Sequence, residues 1–286
     1  MTADLSTRLD NLMNFGNGLA LVLIGVIMTV IIGLFTLAKS TRHALLFAYG
    51  DPSLQTAYTA PFVHLSAGHL AGNLAVFLLV SGALYALSRH ARIPWLFLSA
   101  LVAALSIFPV TLSLLNLAIP RDAVTYGFSR VNMALVCFLP IAIARYIEAK
   151  QGRAIDTLLL LAAFFLSISG IAMAATPRSP LTLTVGMAGV SLTVLFGGPF
   201  VRRERRLAYA RDRWREVVLD PAIIIGAGAW LLLLATAFPQ TVASGETVTN
   251  VYIHFVGYAL GFMTAYLSHE WEFFGNRVKK RGKTAS

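Results

Sequence analysis

Long apolar runs recur along the whole chain and constrain its fold more than any other feature. A helix that spans a bilayer needs about 20 mostly apolar residues, and eight segments of the sequence approach or exceed that length. They cover approximately residues 18–38, 66–88, 94–118, 125–146, 156–175, 180–199, 221–238 and 250–268. Only 13% of the residues are charged, against about 25% in an ordinary soluble domain. The sequence therefore predicts an all-α polytopic membrane protein with about eight spans.

The segments outside these runs indicate how the spans are connected. The first run, 18–38, is too long for a signal-peptide core and lacks a clear Ala-x-Ala cleavage motif, so we interpret it as a retained span. Residues 40–60 contain a turn signal around Asp51 and Pro52, which predicts an ordered or interfacial loop. We find no internal repeat, low-complexity tract or soluble domain. A single membrane domain over residues 1–286 is the expectation.

The basic residues predict the orientation of the spans. Of the 23 lysines and arginines, eighteen fall in the segments on the same side as the N-terminus, four on the other side, and Arg130 within a span. The positive-inside rule then makes both termini cytoplasmic. This placement between apolar runs also argues against a nucleic-acid partner. The arginine-rich segment 201–216 fits either a cytoplasmic loop or an amphipathic helix on an anionic lipid surface.

Cysteine and metal-ligand patterns limit the possible chemistry. The only cysteine, Cys137, lies within an apolar run, so we expect a buried thiol and no intrachain disulfide. No Gly-rich phosphate loop precedes a helix, and no set of His, Asp and Glu residues has metal-ligand spacing. We therefore expect no cofactor and no metal.

Three polar residues stand at the start of the second apolar run. His69 and Asn73 are four residues apart and share one face of a helix. His64 is five residues before His69, roughly 140° around the axis, so it points elsewhere or lies in the entry to the helix. Polar groups inside a hydrophobic segment are costly unless they face a partner or a cavity, and they then often mark a functional site.

Two further polar residues are expected at similar depth on the outer side. Ser129 falls early in the fourth run, roughly 7 Å from its outer end at 1.5 Å per residue, and His254 is similarly shallow in the eighth. A serine activated by an imidazole is a nucleophile for acyl transfer, and fixed N–H donors stabilise the oxyanion. Gly257 and Gly261 share a face with His254 and favour close approach to a neighbouring helix, expected to be the fourth span.

Each of these residues also has an ordinary structural interpretation. A serine in a membrane helix usually bonds to a carbonyl one turn earlier, glycines four apart are common in helix packing, and a lone histidine is ambiguous. The shared depth of Ser129, His254, His69 and Asn73 is what favours a site.

Taken together, these residues resemble the rhomboid intramembrane serine proteases. The matching pieces are the segment 59–73 with His64, His69 and Asn73, then Gly127-Phe-Ser129, then His254-x-x-Gly257-x-x-x-Gly261. The resemblance covers the first four spans and the last one or two. It implies a six-helix core to which this chain adds a pair of helices within residues 155–220.

The resemblance also implies a function and roles for these residues. Ser129 and His254 would form the catalytic dyad. His69, Asn73 and the Ser129 backbone N–H would form the oxyanion hole, and His64, Gly127, Gly257 and Gly261 would support the site. The implied activity is cleavage of transmembrane proteins near the outer face of the cell membrane.

Arg130 departs from the pattern of the family, which usually has glycine after the nucleophile. This arginine must reach outward or find a buried partner. It keeps open an alternative, a catalytically inactive rhomboid-like protein that binds membrane clients. A small-solute transporter would predict inverted repeats and broken helices at the midplane, and the sequence shows neither.

Overall fold

The computed structural model describes most of the chain and is about 82% helical. The described residues are 2–119, 121–152, 155–174, 179–205, 216, 219–238, 243–244, 247–248 and 250–284. Most of the arginine-rich segment 201–216 lies outside them. So does much of 240–250, the polar segment that precedes the last apolar run.

Helices account for nearly all of the described structure. They are α1 (Thr2–Phe35), α2 (Lys39–Ala44), α3 (Leu54–Thr59), α4 (Ala67–His90), α5 (Pro94–Ser106), α6 (Phe108–Leu115), α7 (Ser129–Val136), α8 (Leu139–Gln151), α9 (Thr157–Ala174), α10 (Pro180–Arg205), α11 (Pro221–Ala237) and α12 (Val251–Thr284). Short 3₁₀ turns occupy Ala60–Phe62 and Asn116–Ala118. Two antiparallel strand pairs join β1 (Phe47–Ala48) to β2 (Val124–Thr125) and β3 (Ala243–Ser244) to β4 (Thr247–Val248).

Several helices are long and apolar enough to cross a membrane, as the sequence predicts. Within the described residues there are five, namely Asn14–Phe35, Ala67–His90, Ser129–Gln151, Pro180–Pro199 and Val251–Ser268. The pair α5 and α6, bent by 48° where they meet, makes a sixth if it counts as one span. Thr157–Met173 and Pro221–Ala237 are apolar but shorter. Every predicted segment therefore contains helix, while the count of eight spans stays a prediction.

The fourth predicted segment begins later than the sequence suggests. Its first residue, Thr125, belongs to strand β2, and Gly127 has a φ of +96°, which a right-handed helix cannot accommodate. Helix α7 therefore starts at Ser129. Ser129 was expected to lie about one turn inside the helix. In the structure it is the first helical residue.

Helices α7 and α8 form the centre of the bundle. Of an apolar stretch of 18 residues within Ser129–Gln151, 78% is buried inside the protein, whereas the corresponding share is 17% for both Asn14–Phe35 and Pro180–Pro199. Because the residues that α1 and α10 leave exposed are mostly apolar, these two helices face lipid in a membrane. Helices α9 and α10 pack closely on each other, with Gly189 set against the backbone of α9.

Helix α11 is fixed at its N-terminus. The buried Asp220 is its N-cap and accepts a hydrogen bond from the backbone N–H of Ala222 at 2.9 Å. Asp220 also accepts one from the Tyr146 hydroxyl at 2.9 Å and pairs with Lys150, both on α8. Capping and pairing hold the N-terminus of α11 against α8.

Candidate active site

Ser129 and His254 are in direct contact although 125 residues separate them. The Ser129 Oγ lies 2.9 Å from the His254 Nε2. Ser129 is the first residue of α7, and His254 lies in the first turn of α12. The serine is half-buried and the histidine is buried. The structure thus brings together the two residues that the sequence predicts as a dyad.

The other nitrogen of His254 contacts the end of helix α11. Its Nδ1 lies 2.9 Å from the carbonyl oxygen of Ala237, the last residue of that helix. A carbonyl only accepts hydrogen bonds, so the neutral imidazole carries its proton on Nδ1. Its Nε2 then offers a lone pair to the Ser129 hydroxyl, which donates. This is the tautomer that a general base needs.

Ala237 is a site residue that sequence reasoning missed. A backbone carbonyl has no side-chain signature, and the last carbonyls of any helix lack intrahelical partners. The C-terminus of a helix also carries partial negative charge, which stabilises a nearby cation. Ala237 therefore both orients His254 and favours its protonated form. The ring of Phe238, the next residue, packs edge-on against the imidazole at 6.4 Å.

The glycines of α12 allow the contact between its histidine and α7. A Cβ atom on Gly257 would lie 2.9 Å from the Arg130 carbonyl oxygen, and one on Gly261 would overlap Cys137 and the backbone of Ala134. The two helices pack closely along this seam, as the glycine spacing predicts. Cys137 is buried in it.

His69 lies directly beside the segment that enters α7. A Cβ on Gly127 would be 2.6 Å from His69 Cε1 and 2.9 Å from its Nε2. Only glycine fits here, since its φ is also positive. The Gly127 N–H donates to the Ala60 carbonyl at 3.0 Å, and the Tyr126 ring packs against His69 at 5.5 Å. The half-buried His69 ring therefore packs against Gly127, which lies two residues before Ser129 in sequence.

Asn73 joins α4 to α7. Its side-chain amide donates to the His69 carbonyl at 3.0 Å, and its own carbonyl accepts from the Asn132 amide at 3.0 Å. An asparagine amide has two N–H groups, so one bond to His69 leaves a second N–H that can serve a ligand. His69 and Asn73 share a helix face as predicted, and a role in an oxyanion hole stays a prediction.

His64 is a buried support for this arrangement. Its Nε2 accepts from the Phe128 backbone N–H at 3.5 Å, and its ring packs against His69 at 5.0 Å. Its carbonyl accepts from Arg42 Nη1 at 2.8 Å. Burial and the neighbouring His69 lower the pKa of His64 to about 4, so the ring is neutral at neutral pH. His64 lies in the entry to helix α4, before its N-cap, and there it contacts the segment that precedes Ser129.

Arg130 has a buried partner and does not reach outward. It is 1% exposed, and its Nη1 donates to Ser113 Oγ at 3.1 Å. Ser113 in turn donates to the Ala57 carbonyl at 2.7 Å. Ser113 was not predicted as a site residue, although a serine inside an apolar run was a usable signal. The bend between α5 and α6 determines where that serine points, and the sequence does not show the bend.

A polar cluster in the connecting segments adjoins Arg130 and the serine to which it donates, because the cluster member Asn116 lies three residues after that serine. The Asn250 amide donates to Asn116 Oδ1 at 2.8 Å and to the Tyr49 hydroxyl at 3.3 Å. The Arg121 guanidinium lies over the Tyr49 ring, 5.0 Å from its centroid. Burial raises the pKa of Tyr49, while Arg121, Arg130 and the bond from Asn250 act in the opposite direction.

No metal site is found among the described residues, where no group of three or more His, Cys, Asp or Glu side chains could hold an ion.

The chain was compared with protein-family models, with curated proteins and with solved structures, and none of them matches it.

Proposed function

We propose that this membrane protein is a serine endopeptidase that cleaves transmembrane proteins with a Ser129–His254 dyad. The observation that carries the proposal is the pair of 2.9 Å contacts made by His254, one to Ser129 Oγ and one to the Ala237 carbonyl. A serine that bonds only within its own helix would be structural. Here its partner is an imidazole in the tautomer that can take its proton.

In the first step, Ser129 Oγ attacks the carbonyl carbon of the scissile peptide bond while its proton passes to His254 Nε2. The imidazolium that forms is stabilised by the Ala237 carbonyl and the C-terminus of α11. The negative charge on the tetrahedral oxygen is met by N–H donors, for which His69, Asn73 and the Ser129 backbone are the candidates.

In the second step, the carbon–nitrogen bond breaks and His254 gives its proton to the leaving amine. The acyl group now esterifies Ser129. His254 then takes a proton from water, whose oxygen attacks the ester, and returns it to Ser129 as the acid product leaves. Water and substrate would reach the half-buried Ser129 from the end of the bundle where α7 and α12 begin.

The rhomboid resemblance supports this proposal through particular contacts. Gly127 is packed on His69, Gly257 and Gly261 are packed on α7, and His64 braces the loop before the nucleophile. In a rhomboid-like core, α9 and α10 would be the additional pair, because they pack mainly on each other at the edge of the bundle. Cleavage near the outer face of a cell membrane follows from the predicted orientation.

The proposal is tested with purified protein in lipid vesicles and a model transmembrane substrate. We expect Ser129→Ala and His254→Ala each to reduce cleavage to background, with unchanged unfolding temperatures. The matched control is Ser106→Ala, since Ser106 is exposed and bonds only within its own helix. Undiminished cleavage by Ser129→Ala would contradict the dyad.

Arg130 supports a second candidate, a folded protein that binds membrane segments and does not cleave them. Such a protein would keep the Ser129–His254 contact but never react at Ser129. The buried Arg130 guanidinium donates to Ser113 on α6. This buried partner favours the enzyme over the binding protein.

A further inference from the structure

Arg130 is a buried cation that lacks a counter-ion in the described part of the chain. A guanidinium is always protonated in proteins, and none of the described carboxylates pairs with it. Within the described residues its Nη1 donates a hydrogen bond to the neutral hydroxyl of Ser113, and its Nη2 has no partner. Burying an unpaired charge is strongly destabilising, so a compensating negative charge is expected there.

A second unpartnered donor belongs to the same polar cluster. Asn116 is fully buried, and its amide nitrogen has no hydrogen-bond partner among the described residues. Asn116 lies three residues after Ser113, the partner of Arg130, so both are on one side of the same helical turn. Two N–H groups without partners, one of them cationic, favour an acceptor that carries negative charge.

The surroundings of these donors favour a ligand that enters from outside. The Asn250 amide links Tyr49 to Asn116, because it donates a hydrogen bond to the hydroxyl of the first and to Oδ1 of the second. Tyr49, Asn116 and Asn250 lie in or beside connecting segments at the end of the bundle where Ser129 stands. Asn250 is half-buried, so the cluster extends to the surface beside the nucleophile.

We propose that Arg130 and Asn116 form an anion site that takes a carboxylate beside Ser129. A guanidinium matches the geometry of a carboxylate, and bonds between charged partners are stronger than neutral ones. The negative charge at the site has two possible sources, the carboxylate of an acidic side chain in the bound substrate or a small free anion such as acetate or chloride. The first source rests on the peptidase function proposed above, and the second does not.

Free anions are tested by thermal unfolding of the detergent-solubilised protein. A maleimide dye that reacts with the buried Cys137 reports unfolding. Acetate or chloride is titrated at constant ionic strength against isethionate, a bulky sulfonate. We expect the midpoint to rise by about 3 °C for each tenfold increase in anion above its Kd. An unchanged midpoint with both anions would exclude a free anion as the source, and the Glu preference of matched substrates then decides the site.

Variants show whether the dependence of the unfolding midpoint on anions requires Arg130. Arg130→Gln is expected to abolish the anion dependence, whereas Arg121→Gln, which removes the other arginine beside Tyr49, is expected to retain it. Asn116→Asp provides an independent test if Arg130→Gln folds poorly, because it places a permanent carboxylate within the cluster. It should raise the midpoint and remove the response to added anion. A lower midpoint with an intact response would contradict the proposal.

Matched substrates that differ only in Glu or Gln near the cleavage point test the other source. We expect the wild type to favour Glu at least tenfold in kcat/KM, and Arg130→Gln to lose that preference. A ratio of one together with stabilisation by acetate or chloride assigns the site to a free anion. Labelling of Ser129 by a fluorophosphonate in the same samples separates the two proposals. Absent labelling counts against the peptidase, while labelling without any anion or Glu dependence counts against the anion site.

Discussion

At the scale of single residues, the candidate site depends on how two imidazole rings are held. His254 is fixed by an acceptor on one nitrogen and a donor on the other. His64 is fixed by the Phe128 N–H at Nε2, which also requires a neutral ring. A single backbone group therefore fixes the tautomer of each ring. Protonation of these rings should affect either stability or rate.

The pH dependence of stability tests the environment of His64. Its pKa in the folded protein is about 4, below the ordinary 6.5. Between these values the unfolded chain binds more protons than the folded one, so the free energy of unfolding falls as the pH drops from 6.5 to 4. Thermal unfolding followed by circular dichroism at several pH values measures this loss of stability.

The matched variant for that measurement is His64→Gln, which keeps an acceptor for Phe128 and does not titrate. Its unfolding temperature should decline less than that of the wild type over the same pH range. Equal declines would assign the pH dependence to other groups and contradict the buried, neutral state of His64.

At the scale of helices, two packing contacts place His254. The close approach of α12 to α7 sets its distance from Ser129, and the C-terminus of α11 sets its tautomer. Each contact involves a different pair of elements and can be perturbed separately.

Gly261→Ala tests the approach of α12 to α7. The added Cβ overlaps Cys137 and the Ala134 backbone, so α12 must move outward and carry His254 away from Ser129. A displacement of about 1 Å can reduce activity on the order of 100-fold. The control is Gly82→Ala in α4, where no atom lies within 4 Å of the new Cβ. Cleavage rates of the two variants are compared, and equal rates would contradict the role of the seam.

The bond from His254 to Ala237 is tested by replacing Phe238 with its α-hydroxy acid. The Ala237 carbonyl then belongs to an ester and accepts hydrogen bonds more weakly. Weakening this bond by about 1 kcal/mol predicts a roughly fivefold lower kcat/KM. The acid limb of the pH–rate profile should also move to lower pH, because the protonated ring loses stabilisation.

An ester at Leu232 controls for the loss of a backbone N–H in α11. It alters the carbonyl of Leu231, a lipid-facing residue of the same helix, and should leave the pH–rate profile unchanged. An identical effect of both esters would assign the loss to the helix as a whole and not to the contact with His254.

At the scale of the whole molecule, the sequence predicts composition-driven features well. Apolar runs predicted helices in all eight segments, and the spacing of Gly257 and Gly261 predicted which face of α12 packs closely. Features that depend on backbone conformation were predicted poorly. The start of α7 was misplaced because the positive φ of Gly127 ends the regular structure before it.

The partners of buried polar groups were also beyond sequence reasoning. Ser113 and Asn116 meet Arg130 and Asn250 because α5 and α6 bend where they join. Ala237 contributes a backbone carbonyl, which every residue possesses. Pairing of this kind is set by the way whole helices cross, and the pattern of residue types along one helix does not contain it.

The central claim is that Ser129 is a nucleophile activated by His254. The most direct measurement is intact-mass analysis and peptide mapping of the vesicle-embedded protein after treatment with a fluorophosphonate. We predict one adduct, located on Ser129, absent in Ser129→Ala and formed at least 100-fold more slowly in His254→Ala. A correctly folded wild-type protein that gains no adduct at Ser129 would contradict the claim.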